Sequence, residues 1–204
     1  MAITQAARQR TGDPRIPAPE SHYVDDDFYA GLRAHTAALQ ERGRPLTEAE
    51  RATAGELVAH EAWLLDQGRF EDWFALLTDD CFVWAPTSYP PGDPQREVAL
   101  VADDRRRLRD RIAWIRTALA SAQIPESRTA HLLGEPLRVP WTPDDDVVLR
   151  ASYLVTEVRT EGLRQLAGWC GWVLRGTPDG LRVHRKIVSL VDADRGHRNL
   201  TFFL

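Results

Sequence analysis

The stretch from Glu56 to Pro86 constrains this chain more than any other. It reads helix, tight stop, short helix, turn, strand. Leu57, Val58, Glu61, Leu64 and Leu65 share one helical face at i, i+3, i+4 spacing. Gly68 stands where a left-handed C-terminal cap belongs. Phe70, Trp73, Phe74 and Leu77 form a second apolar face about two turns long, and Cys81 to Pro86 reads as a strand. Helices this short and apolar cannot bury themselves, so they must cover a sheet.

The 204 residues suit one domain with a tail, large enough to hide roughly 70% of its unfolded surface. A net charge of −4 argues against nucleic acid, whose binding is driven by basic groups on phosphates. No run approaches ~18 apolar residues, so no membrane span is expected. The N-terminus lacks the apolar core of a secretory signal, and a cytoplasmic location follows as the expectation. Cys81 and Cys170 sit in apolar, strand-like contexts and read as buried free thiols. Lys186 is the single lysine of an otherwise arginine-based complement, a bias that suits either interfacial ion pairs or a GC-rich genome.

Residues 1–24 carry Thr-Gly-Asp-Pro and Ile-Pro-Ala-Pro and read as a loose arm, with a single domain expected over 25–204. Phe28, Leu32, His35 and Leu39 space a helix that stops near Gly43 and Pro45. Thr47-Glu48-Ala49-Glu50 is a capping box opening the helix that ends at Asp66. The Pro-rich segment from Ala85 to Ala102 reads as a loop. Asp103 or Asp104 caps a helix with Leu108, Ile112, Ile115 and Leu119 at core spacing, ending before Ile124-Pro125. From Ser127 the pattern turns to strands: 127–133, 147–160, 163–175 and 181–192, with a hairpin turn at Thr177-Pro178-Asp179-Gly180 and a last strand at 198–204. Helices first and strands later make an α+β chain, a curved antiparallel sheet packed against N-terminal helices.

The chemistry is sparse. The six histidines form no close metal-ligating pair, and Leu64 stands where a zincin helix beginning at His60-Glu61 would need its second histidine. Two isolated cysteines without Cys-x-His or Cys-x-x-His cannot hold an iron–sulfur cluster. No dinucleotide fingerprint, P-loop or nucleophile elbow occurs. Acid–base work remains open. Glu61 lies on an apolar stripe, either with a raised pKa or paired to an arginine such as Arg128 or Arg185. His131 is either a base in a cone-shaped pocket or a satisfied core histidine; Tyr153 reads as packing with a hydrogen-bonded tip, and Asp66 as a helix-end partner. The cluster Asp103 to Arg111 is either a solvated helix face or a set of bridges to another subunit.

Four segments in order carry a resemblance. They are Glu61-x-x-Leu64-Leu65-Asp66 with Trp73 and Asp79-Asp80; Asp103-Asp104-Arg105 with Leu108 and Arg111; Ser127-Arg128-Thr129-x-His131; and Arg198-Asn199-Leu200-x-Phe202-Phe203-Leu204. Together, over roughly residues 45–204, they resemble the small (beta) subunit of aromatic-ring-hydroxylating (Rieske non-haem iron) dioxygenases. The resemblance implies a cystatin-like or NTF2-like cone with no cofactor of its own. It places the Rieske 2Fe–2S cluster and a mononuclear Fe(II) in a partner alpha subunit. It also implies a beta trimer within a hetero-hexamer of three alpha and three beta subunits. Arg105, Arg109, Arg128 and Arg198 are the candidate partner contacts. The arm before residue 45, the Pro-Pro-Gly loop and Trp169-Cys170-Gly171-Trp172 lie outside the motifs.

Three functions compete. The first is a non-catalytic scaffold of a multicomponent dioxygenase in aromatic compound degradation. The second is a free-standing dehydratase, isomerase or cyclase on the same cone, using His131, Tyr153 and Asp66. The third is a ligand-binding or assembly module. An open cone mouth lined by His131, Tyr153 and a carboxylate separates the second from the first; a cone filled with side chains removes it.

Overall fold

The computed structural model describes residues 24–117, 123–160, 162–197 and 200–204. The proposed arm up to residue 23, Leu119, Arg198 and Asn199 lie outside the described residues.

Helix α1 (Asp26–Ala38) begins where the Asp25 carboxylate accepts the Phe28 N–H at 2.9 Å. Strand β1 (Arg44–Pro45) leads to the capping box, present in full: Thr47 Oγ1 accepts from Glu50 N at 3.2 Å, and Glu50 Oε2 accepts from Thr47 N at 2.9 Å. The helix it opens runs as α2 (Glu48–Glu50), a π-helical turn (Arg51–Gly55) and α3 (Glu56–Asp66). Gly68, at φ 63°, reverses the chain into α4 (Phe70–Ala75). Strands β2 (Leu77–Pro86) and β3 (Ala99–Asp104) precede α5 (Arg105–Arg116), capped by Asp104, which accepts the Arg107 N–H at 2.8 Å. There follow β4 (Arg128–Leu133), β5 (Leu137–Arg138), a 3-10 turn (Pro143–Asp145), β6 (Val147–Arg159), β7 (Gly162–Thr177) and β8 (Gly180–Leu190).

The described strands form one eight-stranded sheet in the order β1-β5-β6-β7-β8-β2-β3, with β4 sharing the β6 edge with β5. All pairs are antiparallel except β2 with β8, which is parallel. This is the cystatin-like/NTF2-like α+β architecture, a curved sheet with helices packed on it.

The central strands are buried on both faces, which is why they read as continuous apolar runs rather than alternating ones. On one face Cys81, Val83, Cys170, Trp172 and Leu174 pack against α3, α4 and α5. On the other, Phe82, Trp84, Trp169 and Val173 pack against Phe28 and Leu32 of α1 and against Leu39, which caps its C-terminus. The two tryptophans of Trp169-Cys170-Gly171-Trp172 therefore serve opposite faces. Gly171 between them lets Leu39 lie on the sheet, since a Cβ there would collide with the leucine methyls.

Two expectations are corrected. The segment read as loop through Ala102 forms β3 from Ala99, paired to β2 through Val83–Asp103 and Trp84–Ala102. The expected last strand is no strand among the described residues 200–204. Instead Phe202, Phe203 and Leu204 are buried in the helix-side core, and Arg111 Nη2 donates to the Phe202 carbonyl at 2.8 Å. Three successive apolar residues have no period of two, and the helix-side core takes all three.

Candidate functional site

Glu61 lies at the centre of the helix-side core. Its pairing differs from the expected Arg128 or Arg185: its Oε2 meets Lys186 Nζ on β8 at 3.1 Å, with the two side chains 1% and 2% exposed. Trp73 Nε1 donates to Oε1 at 3.1 Å and Trp172 Nε1 to Oε2 at 2.6 Å. Two indole donors and one ammonium leave the buried carboxylate fully engaged. Glu61 on its apolar stripe was the sequence signal for this site; its lysine partner carried none.

Asp66, His131 and Tyr153 do come together. Asp66, at the last turn of α3, accepts the His131 backbone N–H at 2.8 Å, meets His131 Nδ1 at 2.5 Å, and accepts from Thr129 Oγ1 at 2.9 Å. Burial pushes its pKa up, but the hydrogen bonds from His131 and Thr129 more than offset this and leave it below the ordinary value. The His131 and Tyr153 rings lie 5.8 Å apart. Two of the three are enclosed: the His131 side chain is 1% exposed and Tyr153 is buried, while the Asp66 side chain is 20% exposed. The hydrogen-bonded tip expected of Tyr153 is not found: among the described residues its hydroxyl and His131 Nε2 are buried without a partner. Burial also raises the Tyr153 pKa well above its ordinary value, with the Cys170, Glu61 and Asp66 charges adding to it.

The adjoining cavity, about 200 Å³, touches Asp66 and Thr129 but is not lined by His131 or Tyr153, and Phe202 and Phe203 form part of its wall. Phe203 packs on Trp73 at 4.7 Å and Phe70 at 5.1 Å. The Phe70, Phe202 and Phe203 rings wall the cavity, and the His131 and Tyr153 side chains do not reach it. Both thiols are buried and free, and burial pushes Cys81 up to about 12, so it is no nucleophile near neutral pH. Among the described residues, no three His, Cys, Asp or Glu side chains converge as a metal site.

The candidate partner contacts divide. Arg105 is turned inward: its Nη1 donates to the carbonyls of Leu77 at 3.1 Å and Thr78 at 3.2 Å, and its guanidinium lies 4.1 Å over Phe74. That removes it as a free surface charge. Arg128 is exposed and Arg109 half-buried. Sequence reasoning missed the apolar surface beside them. A groove of about 650 Å³ runs between β3 and α5, lined by Leu100, Arg107 and a Trp114 that is 64% exposed.

The comparisons with known proteins agree with this picture. The family model described as ring hydroxylating beta subunit matches residues 60–194. The small oxygenase component of the p-cumate 2,3-dioxygenase system of Pseudomonas putida is 29% identical over 157 residues, 76% of this chain and 87% of that protein. The beta subunit of benzoate 1,2-dioxygenase from Burkholderia mallei superposes with a TM-score of 0.59 at 20% identity, covering 78% of this chain and 99% of that one. A chain of naphthalene 1,2-dioxygenase superposes at 0.66 with 15% identity, covering 89% and 100%. With well over half of its length matched by the family model, the chain belongs to the family of ring-hydroxylating dioxygenase beta subunits.

Proposed function

We propose that this chain is the non-catalytic scaffold of a multicomponent oxygenase that hydroxylates aromatic rings in their degradation. Its alpha partner carries the Rieske 2Fe–2S cluster and the mononuclear Fe(II), and the two assemble as a hetero-hexamer on a beta trimer. Residues 25–204 act as one domain in this assembly, in the cytoplasm; no helix of the described residues is long and apolar enough to cross a membrane. Membership of the beta subunit family supports the reading, and one observation carries it against a free-standing enzyme: the side chains of His131 and Tyr153 are buried and do not line the cavity that Asp66 borders. A proton-transfer catalyst must reach its substrate within hydrogen-bond distance, and of the three groups only the Asp66 carboxylate, already bonded to His131 and Thr129, borders that cavity.

Arg109, Arg128 and Arg198 are the proposed charged contacts to the partner, with Trp114 and the groove along β3 as the apolar one. An obligate interface of this kind buries over about 2,000 Å². Co-expression with the large subunit of its own system, followed by gel filtration, tests the proposal. Co-elution of both chains at a mass near three copies of each is the expected result. Elution of this chain apart from the large subunit contradicts it.

A further inference from the structure

The α1 face of the sheet holds a cation that its own carboxylates do not balance. Arg185 on β8 is 7% exposed, yet no carboxylate of the described residues pairs with it within 4 Å. Its Nη1 donates to His35 Nδ1 at 2.9 Å, and its guanidinium lies 5.2 Å over Phe28. The acids that act on it electrostatically, Asp80 and Asp146, are turned to other donors. Asp80 takes Arg175 Nη1 at 3.0 Å and His184 Nδ1 at 3.1 Å, and Asp146 takes Arg175 Nε and Nη2, each at 3.2 Å. Burial accordingly pulls the Arg185 pKa down to about 10.

The groups around Arg185 are donors as well. His35 Nδ1 accepts from Arg185, so the ring proton sits on Nε2, and burial with the Arg185 charge keeps the ring neutral down to about pH 3. Among the described residues, that Nε2–H, the Nε–H of Arg185 and the Nε1–H of Trp141 are all buried without a partner. The Trp141 and His35 rings are 4.4 Å apart. Gly31 of α1 completes the cradle: a Cβ there would stand 3.0 Å from Nη1 and 3.2 Å from Nη2 of Arg185. Trp141 also borders a groove of about 500 Å³ lined by Arg42, Arg44 and Arg138. A buried guanidinium is stable when a carboxylate meets its planar fork, and every unpartnered atom here asks for an acceptor.

We propose that Arg185, His35 and Trp141 form a carboxylate-binding site at the seam between α1 and the sheet. The carboxylate comes from a small organic acid or from an Asp or Glu side chain of the docked alpha subunit. Trp141, half-exposed at the groove, swings aside to admit it, because the waiting N–H groups are closed to solvent without that movement. The free-chain part of the test is independent of the scaffold role; only the assignment of the source rests on it.

The test is a titration of the full ¹⁵N-labelled chain with sodium acetate, read at the arginine Nε–H resonances. Sodium chloride at equal ionic strength and neutral acetamide are the controls. A saturable shift of one resonance, absent in Arg185→Gln and absent with chloride or acetamide, is the expected result. Gly31→Ala, which suits a helix and presses on the guanidinium, weakens acetate binding by about tenfold while the far-ultraviolet spectrum is unchanged. No acetate-specific shift in the wild type, or undiminished affinity in Gly31→Ala, overturns the proposal. Repeating the titration on the complex separates the sources: a vanished response assigns the site to the partner's side chain, and a retained one to the free acid.

Discussion

At the residue scale, the Glu61–Lys186 pair shows what a sequence can and cannot disclose. Glu61 stands out because a carboxylate interrupts an apolar helical stripe. Its partner does not, because Lys186 lies 125 positions later on a strand whose crossing point beneath α3 depends on the whole sheet. Chemistry explains the choice of lysine: a compact ammonium fits between Glu61 and the Trp172 ring, 6.0 Å from its centroid. Breaking one half of a buried pair leaves an uncompensated charge, so Lys186→Met lowers stability by about 3–5 kcal/mol. Adding Glu61→Gln removes the stranded charge and restores part of that loss, the rest being an indole N–H of Trp73 or Trp172 left facing the amide nitrogen, as measured by urea unfolding. A double variant no more stable than Lys186→Met rules out charge compensation as the reason for the pair.

At the element scale, helices α1, α3 and α5 and the long strands β6, β7 and β8 were readable from their caps, apolar periods and the Pro-Asp-Gly turn. Strand β3 was not, because Ala99 to Ala102 follows a proline-rich run and gains its partner only from β2. The C-terminal residues misled for the opposite reason, since their apolar content suits a strand while their burial serves a helix-side core. The attachment of α1 carries a pH dependence. His35 is held neutral to about pH 3 when folded but has an ordinary value of 6.5. Below that ordinary value the unfolded chain binds a proton that the folded chain refuses, so stability falls as pH falls. Between pH 6.5 and 4.5, above the range where carboxylates dominate, this amounts to roughly 2 kcal/mol. Urea midpoints across that window fall in the wild type and stay nearly level in His35→Gln; equal slopes in the two proteins refute the assignment.

At the scale of the whole molecule, the sheet is covered twice, by α1 on one side and by α3, α4, α5 and the C-terminal residues on the other. That double cover was legible only in part. The sequence carried the α+β order and the lack of cofactor motifs, whereas the meeting of Trp73, Trp172 and Phe203 in the helix-side core depends on packing between distant segments. The chain belongs to the family of ring-hydroxylating dioxygenase beta subunits, and the proposed scaffold role puts its outer surface to work. The most direct measurement is turnover of aromatic substrate by the isolated chain, assayed beside its complex with the large subunit and with electron-transfer proteins supplied to both. The account predicts hydroxylated product from the complex and none from the chain alone; product formed by the chain alone would contradict it.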